Sequence, residues 1–505
     1  MRLIRSSLWN LLGGVVPAVA AFITVPLVVS QLGVVHYGLL TLITSIVGYF
    51  AMLDISASVG TLKLLAEYRA RRDFERSNQL FTLGMALYLV IGVVGGASIT
   101  FFAEQLTISV FNVPASLHDE AVGALRFGGV AFMFAQIANY LLSVPQAFQR
   151  YEISARTEVI FGTLTSVSTM LVVLLGGGLV EIMAARAMLS ATNVLLLWRV
   201  VHYLMPVLRP AWPHRDVVRG LMSFSLYAYL SRIAMVSYAN ADKLLVGAYV
   251  DMRALALYAV PYLLANRVYS LTYRLGQVIL PEASRLDAGG QIDQLRRTYL
   301  LSARYLMFLN ASICCLLLLM GREVLYYWAG PTFGAEATLI LALVSITVLV
   351  DSFTNLPSLV NDGRGKPANS GIFAIARSAV GLAAAWFAVR HYGVEGVAWS
   401  QLLVSLVMSG AFLGWVHVRV VPATLGEYLS NAFLPALPPL ALALALVLFW
   451  PARAPLPLPW VLPVGASIVA VMLLYAWTVV LEPVHRARLL ARMRRPRLAV
   501  PPVER

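Results

Sequence analysis

The stretch LWNLLGGVVPAVAAFITVPLVV, residues 8–29, decides the fold. It holds no charged side chain across its 22 residues. At 1.5 Å per residue it reaches about 33 Å as a helix, enough for a hydrocarbon core of about 30 Å. Arg2 and Arg5 precede it, and Ala18-Val19-Ala20 has the small-x-small look of a leader cleavage site. A cleaved leader has an apolar region of only about 7–15 residues. This run continues to Val29 and is read as an uncleaved first transmembrane helix.

The rest of the chain agrees. Of 505 residues, 60% are hydrophobic and 12% charged, and the mean hydropathy is +0.78. A soluble domain carries about 25% charge, so one water-soluble core is excluded. Apolar segments of spanning length fall at 8–30, 37–62, 79–102, 121–147, 157–176, 178–203, 221–248, 254–281, 299–320, 335–360, 368–390, 394–417, 431–450 and 460–482. The expectation is an all-α polytopic membrane protein of about fourteen helices, since segments this long rule out a barrel. Only Gly176-Gly177-Gly178 separates the fifth from the sixth.

The net charge of +14 does not point to nucleic acid, because the basic residues sit in short connectors and in the tail from Arg486 to Arg505. One set of loops carries Lys63, Arg69, Arg71, Arg72 and Arg76, then Arg150 and Arg156, then Arg209, Arg215 and Arg219. It continues with Arg285, Arg296 and Arg297, then Arg364 and Lys366, then Arg419. The alternate loops 31–36 and 103–120 have no Lys or Arg, and the later ones carry single arginines. By the positive-inside rule both termini are expected in the cytoplasm, with anionic lipids as partners of the basic loops. The Pro- and Arg-rich linker 205–220 divides an expected N-terminal six-helix lobe, 1–204, from a second lobe, 221–420. Two extra helices (421–482) and a basic tail (483–505) follow. A faint echo between 37–50 and 258–271 suggests repeated halves, with a site at their interface.

Charges at bilayer depth are expensive and mark function. The seventh helix carries Arg232, Asp242 and Lys243, with Tyr229 on the arginine's face. Lys243 lies near the outer end, where snorkelling competes with a role in a cavity. The eighth carries Arg267 and Arg274 seven residues apart, among Asn266, Tyr273 and Gln277. A water-filled cavity or inter-helix pairing would each explain that face. Arg186 and Arg377 lie inside the sixth and eleventh helices, Asp54 in the second, and Asp351 and Asn355 in the tenth. Together Arg186, Arg232, Lys243, Arg267, Arg274 and Arg377 outnumber Asp54, Asp242 and Asp351, which favours an anionic substrate and, for arginine, phosphate oxygens. The three acids are candidates for coupling or gating; Tyr229, Asn266, Tyr273, Gln277 and Asn355 are candidate cavity lining.

Other chemistry lacks a motif. GRGKPANS (363–370) has the wrong spacing for a phosphate loop. Cys314 and Cys315 are adjacent in an apolar helix and read as small buried hydrophobes. The histidines form no metal motif, no cofactor is expected, and no outer loop is large enough for an enzyme active site.

The segment 7–68, with Asn10, Pro26, Leu32-Gly33, Tyr37-Gly38, Asp54 and Ala66-Glu67, resembles the N-terminal signature of bacterial polysaccharide flippases. These belong to the multidrug/oligosaccharidyl-lipid/polysaccharide exporter superfamily. ADKLLVGAYVDMRALALYAVPY (241–262) is similar to that family's seventh-to-eighth helix junction. The resemblance implies two six-helix bundles in a V plus two C-terminal helices. It implies alternating access that carries an undecaprenyl-pyrophosphate-linked oligosaccharide from the cytoplasmic to the periplasmic leaflet of the bacterial inner membrane, for O-antigen or exopolysaccharide synthesis. A polysaccharide polymerase and chain-length proteins would be partners. A peptidoglycan lipid-precursor flippase is close kin, and a cation-coupled multidrug exporter of the superfamily would need a more acidic cavity. A membrane enzyme is disfavoured by the short outer loops, and a scaffold leaves the arginines of the eighth helix unexplained.

Overall fold

The computed structural model describes residues 19–449 and 454–494, apart from the side chains of 223–228, 230, 231, 267, 268, 271, 489 and 492–494. Residues 8–18 of the first expected span, Trp450, Arg453 and the tail beyond Arg494 lie outside the described residues. Every regular element among the described residues is helical. The longer helices are α1 (Val19–Leu32), α2 (Val34–Phe50), α3 (Ala57–Ala70), α4 (Phe74–Phe101), α5 (His118–Ala147), α6 (Tyr151–Leu174), α7 (Leu179–Leu204) and α8 (Arg215–Tyr249). They continue with α9 (Met252–Gly276), α10 (Ile279–Ala288), α11 (Ile292–Val324), α12 (Thr338–Gly363), α13 (Pro367–Arg419), α14 (Leu437–Phe449), α15 (Leu458–Tyr475) and α16 (Pro483–Arg494).

Nine of the described helices are long and apolar enough to cross a membrane, and ten if the pair Leu425–Phe433 and Leu437–Phe449, bent by 63°, is one span. Pro435, Pro438 and Pro439 fall at that bend, where missing N–H donors break the helix ladder. The polar side chains of α8 and α9 keep those two helices out of the nine. The spans expected at 368–390 and 394–417 are two helices that meet at a kink at Gly393, whose φ of 61° glycine adopts without penalty; they are labelled together as α13. The triple glycine does separate two helices, α6 and α7.

One expected span is not continuous. Residues 37–62 break after Phe50 into a short 3-10 turn, Ala51–Leu53, an extended Asp54 and a left-handed Ser56 (φ 56°) before α3 begins. Apolar composition alone hid the interruption. The Asp54 carboxylate accepts the Ser56 N–H at 2.9 Å, a local turn that competes with the helix.

The chain folds as two compact units that interleave along the sequence. The first holds the described residues up to Leu263, then Trp328–Ile340 and Gly371–Val404. Its core gathers Leu80, Phe81, Tyr88, Tyr140, Leu141, Leu197 and Val201. In lipid, apolar contact gives little drive, so close packing through small residues does the work. A methyl on Gly96 would stand 2.6 Å from the Gly129 carbonyl oxygen, so α4 and α5 cross backbone to backbone. The 205–220 linker docks on α4: Asn78 donates to the Val207 carbonyl (3.0 Å), and Arg76 meets Asp216 at 3.2 Å. At the other end of this unit, the Asn112 amide donates to the carbonyls of Ala248 and Val250 (3.1 and 3.0 Å), and Trp328 donates to the Phe22 carbonyl (2.9 Å). A Cβ on Gly38 would lie 1.7 Å from the Met252 carbonyl oxygen, so α2 and the start of α9 touch through bare backbone.

The second unit holds Leu264–Tyr327, Leu341–Ser370 and the described residues from Ser405 onward. Its core includes Ala311, Cys314, Cys315, Leu318, Leu349 and Ala443, so both thiols are buried as the sequence suggested. Arg364 ties its basic connectors together, bonding Asp287 at 2.8 Å and the Val420 carbonyl.

Candidate functional site

The break between α2 and α3 builds the first cluster. Asp54 is only 2% exposed. One carboxylate oxygen takes the Tyr88 hydroxyl at 2.5 Å as well as the Ser56 N–H, and the other meets the Arg232 guanidinium at 3.1 Å. Arg232 also reaches, at 3.4 Å, the Ala51 carbonyl, which already accepts the Asp54 N–H at 3.2 Å. The acid therefore has three donors and the arginine has two acceptors, which is how a charge pair survives away from water. Arg232 keeps 28% of its side chain exposed, so the pair is not sealed on every side.

The second cluster holds the adjacent acid and base of α8, Asp242 and Lys243. Asp242 is 7% exposed. Its carboxylate accepts the Tyr258 hydroxyl at 2.7 Å, the Lys243 N–H at 2.8 Å and the Lys243 ammonium at 3.2 Å. The same ammonium donates to the Ala239 carbonyl at 2.7 Å and stands 3.8 Å over the Tyr262 ring. Ala239 is one turn back along α8, so Lys243 does not snorkel toward the outer end. On the far side, Arg377 lies over the Tyr238 ring at 4.6 Å, and a cavity of about 20 Å³ is lined by Asp242, Arg377, Ser237, Ser378 and Gln401. That is room for about one water and not for a sugar phosphate.

Arg186 of α7 differs from these. Its Nε is buried with no hydrogen-bond partner among the described residues, while the side chain as a whole is half-buried. No carboxylate pairs with it among the described residues. Its charge is therefore not cancelled, unlike those of Arg232 and Lys243. Tyr229 lies half-buried on α8.

The other candidates belong to the second unit. Asp351 accepts the hydroxyls of Ser405 and Ser409, and Asn355 accepts from Tyr269 at 2.7 Å. Asn266 is half-buried, while Tyr273 and Arg274 in the last turn of α9 and Gln277 just past its end are exposed. The Arg267 side chain lies outside the described residues. Sequence reading missed Tyr88, Tyr258 and Tyr262, the aromatic partners of the two ion pairs. Their only signal is a hydroxyl or ring face on an otherwise apolar helix. Among the described residues no group of His, Cys, Asp and Glu could hold a metal ion.

Chemically, the arrangement offers paired charges that can exchange partners and, in Arg186, a half-buried cation with no acid beside it among the described residues. The comparisons fit that picture. The sequence pattern of the family described as "Polysaccharide biosynthesis protein" matches residues 27–333. A "Putative O-antigen transporter" of Shigella flexneri is 19% identical over 427 residues, 83% of this chain and 99% of that protein. In fold, the chain is similar to a structure described as lipid II flippase MurJ in an inward closed conformation, at TM-score 0.71 and 14% identity, covering 96% of this chain and 100% of that one. It is also similar to an inward-facing multidrug resistance transporter of the MATE family in the MOP superfamily, at TM-score 0.70 and 16% identity, covering 81% and 98%. These relatives are transporters and flippases, not enzymes. The chain belongs to the polysaccharide biosynthesis protein family, the polysaccharide flippases of the multidrug/oligosaccharidyl-lipid/polysaccharide exporter superfamily.

Proposed function

We propose that this chain carries an undecaprenyl-pyrophosphate-linked oligosaccharide from the cytoplasmic to the periplasmic leaflet of the bacterial inner membrane by alternating access. It would do so for cell-surface polysaccharide synthesis, with both termini cytoplasmic. In this reading the chain crosses the membrane fourteen times. The nine apolar helices and the bent pair are joined by α1, α8 and α9, and α13 counts as two spans divided at Gly393.

The observation that carries the proposal is Arg186. A guanidinium at bilayer depth with no acid beside it is expensive to keep and has a ready use, which is to meet an anion that arrives and leaves. Pyrophosphate oxygens match the fork of a guanidinium. Arg232 and Lys243 supply further positive charge when a phosphate displaces Asp54 or Asp242 from them. Those acids then act as placeholders that keep the cations neutralised between substrates. Arg267, Arg274 and Arg377 complete the cationic set, with Asp351 as a third gating acid. The lobes 1–204 and 221–420 would be the moving halves, and the polymerase and chain-length proteins would take up the product.

The test is a deletion strain complemented with variants. Arg186→Ala is expected to insert normally, lose surface glycan and accumulate the lipid-linked intermediate in the cytoplasmic leaflet. Full surface glycan from that variant would remove the proposal. Accumulation of a peptidoglycan precursor instead would move the chain to the neighbouring flippase function.

A further inference from the structure

The proposed transport leaves a cavity of the first unit unused. At the break in α13, helices on either side of Gly393 enclose about 580 Å³, on the side whose connecting loops carry few basic residues. Its walls are chiefly apolar: Ala384, Phe387 and Ala388 before the break, and Trp399, Leu403 and Val404 after it. Phe387, Trp399 and Leu403 are 55%, 48% and 57% exposed within this unit. Glu395 sits at the mouth.

Glu395 is the residue that needs a reason. It is exposed, and among the described residues it makes no hydrogen bond or ion pair, in a chain of net charge +14. The nearby Arg390 is engaged elsewhere, donating to the Tyr249 hydroxyl at 2.8 Å and lying 3.9 Å over the Trp386 ring. Glu395, Trp399 and Leu403 follow at intervals of four residues and so share one helix face. From Glu395 to Leu403 the helix descends about 12 Å, the depth of most of one leaflet's hydrocarbon. The cavity is therefore a groove with a carboxylate at one end, an aromatic ring one turn along it, and apolar side chains beyond. Carboxylate and ring face together recognise a cationic amine.

We propose that this groove binds one zwitterionic phospholipid with a primary amine headgroup, of the phosphatidylethanolamine type, from the outer leaflet. The ammonium pairs with Glu395 and an acyl chain lies along Trp399 and Leu403. Such a lipid would add to the hydrogen bond from the Gln401 amide to the Gly381 carbonyl (3.2 Å) that already ties the two arms of the hairpin.

Native mass spectrometry of the full chain, exposed to equimolar palmitoyl-oleoyl phosphatidylethanolamine and phosphatidylglycerol, tests this. The wild type is expected to retain the ethanolamine lipid about two- to fivefold over the glycerol lipid, the ratio an exposed charge pair supplies. Glu395→Gln should erase that preference, and Ala388→Phe, which fills the groove, should lower retention of both lipids. Equal retention by the wild type would overturn the proposal. So would a preference that survives Glu395→Gln, an Ala388→Phe variant that retains lipid as before, or a dimer mass in place of the lipid adduct.

Discussion

Arg186 and Arg232 make opposite demands on stability. Arg232 has Asp54 at 3.1 Å, and Arg186 has no acid among the described residues. Removing one partner of a buried pair leaves the other uncompensated, whereas removing both is far milder. Asp54→Asn and Arg232→Met should each lower thermal stability in detergent, and the double variant should recover part of the loss. A coupling of about 1–3 kcal/mol is expected from the double-mutant cycle, less than for a sealed pair because Arg232 is partly exposed. Strict additivity would mean that the pair does not hold α8 to the α2–α3 break. For Arg186→Met the sign reverses. Deleting a half-buried charge with no acid among the described residues should leave stability unchanged or raise it by about 1 kcal/mol, while transport is lost. A variant that unfolds would show that Arg186 is structural. Arginine's fork is the next distinction: Arg274→Lys should restore part of the transport lost in Arg274→Ala if charge is enough, and none if bidentate phosphate contact is required.

Among the elements, Gly38 is where a side chain has the least room. Its Cβ would lie 1.7 Å from the Met252 carbonyl, a backbone atom that cannot step aside. Gly38→Leu is expected to hold the ends of α2 and α9 apart. Asn112→Cys, whose native asparagine bonds Ala248 and Val250, should then react faster with a membrane-impermeant maleimide in the Gly38→Leu background. Cys314 and Cys315 are buried and should stay silent. Unchanged labelling would mean that the contact is not part of an outer seal. The helices themselves were legible because lipid permits few alternatives: long apolar runs had to be helical. What stayed hidden depends on single positions inside those runs. Asp54 ends α2 by bonding its own backbone two residues on, and Gly393 divides α13 by its φ alone. Neither changes the hydropathy of the window around it. The site was legible in part, since charges stand out against an apolar background. Tyr88, Tyr258 and Tyr262 do not stand out, and which cation owns an acid depends on packing between helices far apart in sequence.

For the whole molecule, the proposed function needs positive charge at bilayer depth that meets a travelling pyrophosphate. The paired cations of the first unit and the exposed arginine of α9 would each supply some of it, and Arg186 would supply it with no acid to displace among the described residues. The most direct measurement is transport itself. Purified chain in proteoliposomes would be given undecaprenyl-pyrophosphate-linked glycan on one leaflet, and its appearance on the other would be followed with a membrane-impermeant glycan-cleaving enzyme. The wild type should equilibrate the glycan between leaflets, and Arg186→Met, equally stable and equally inserted, should not. Equal transport by the two proteins would contradict the account.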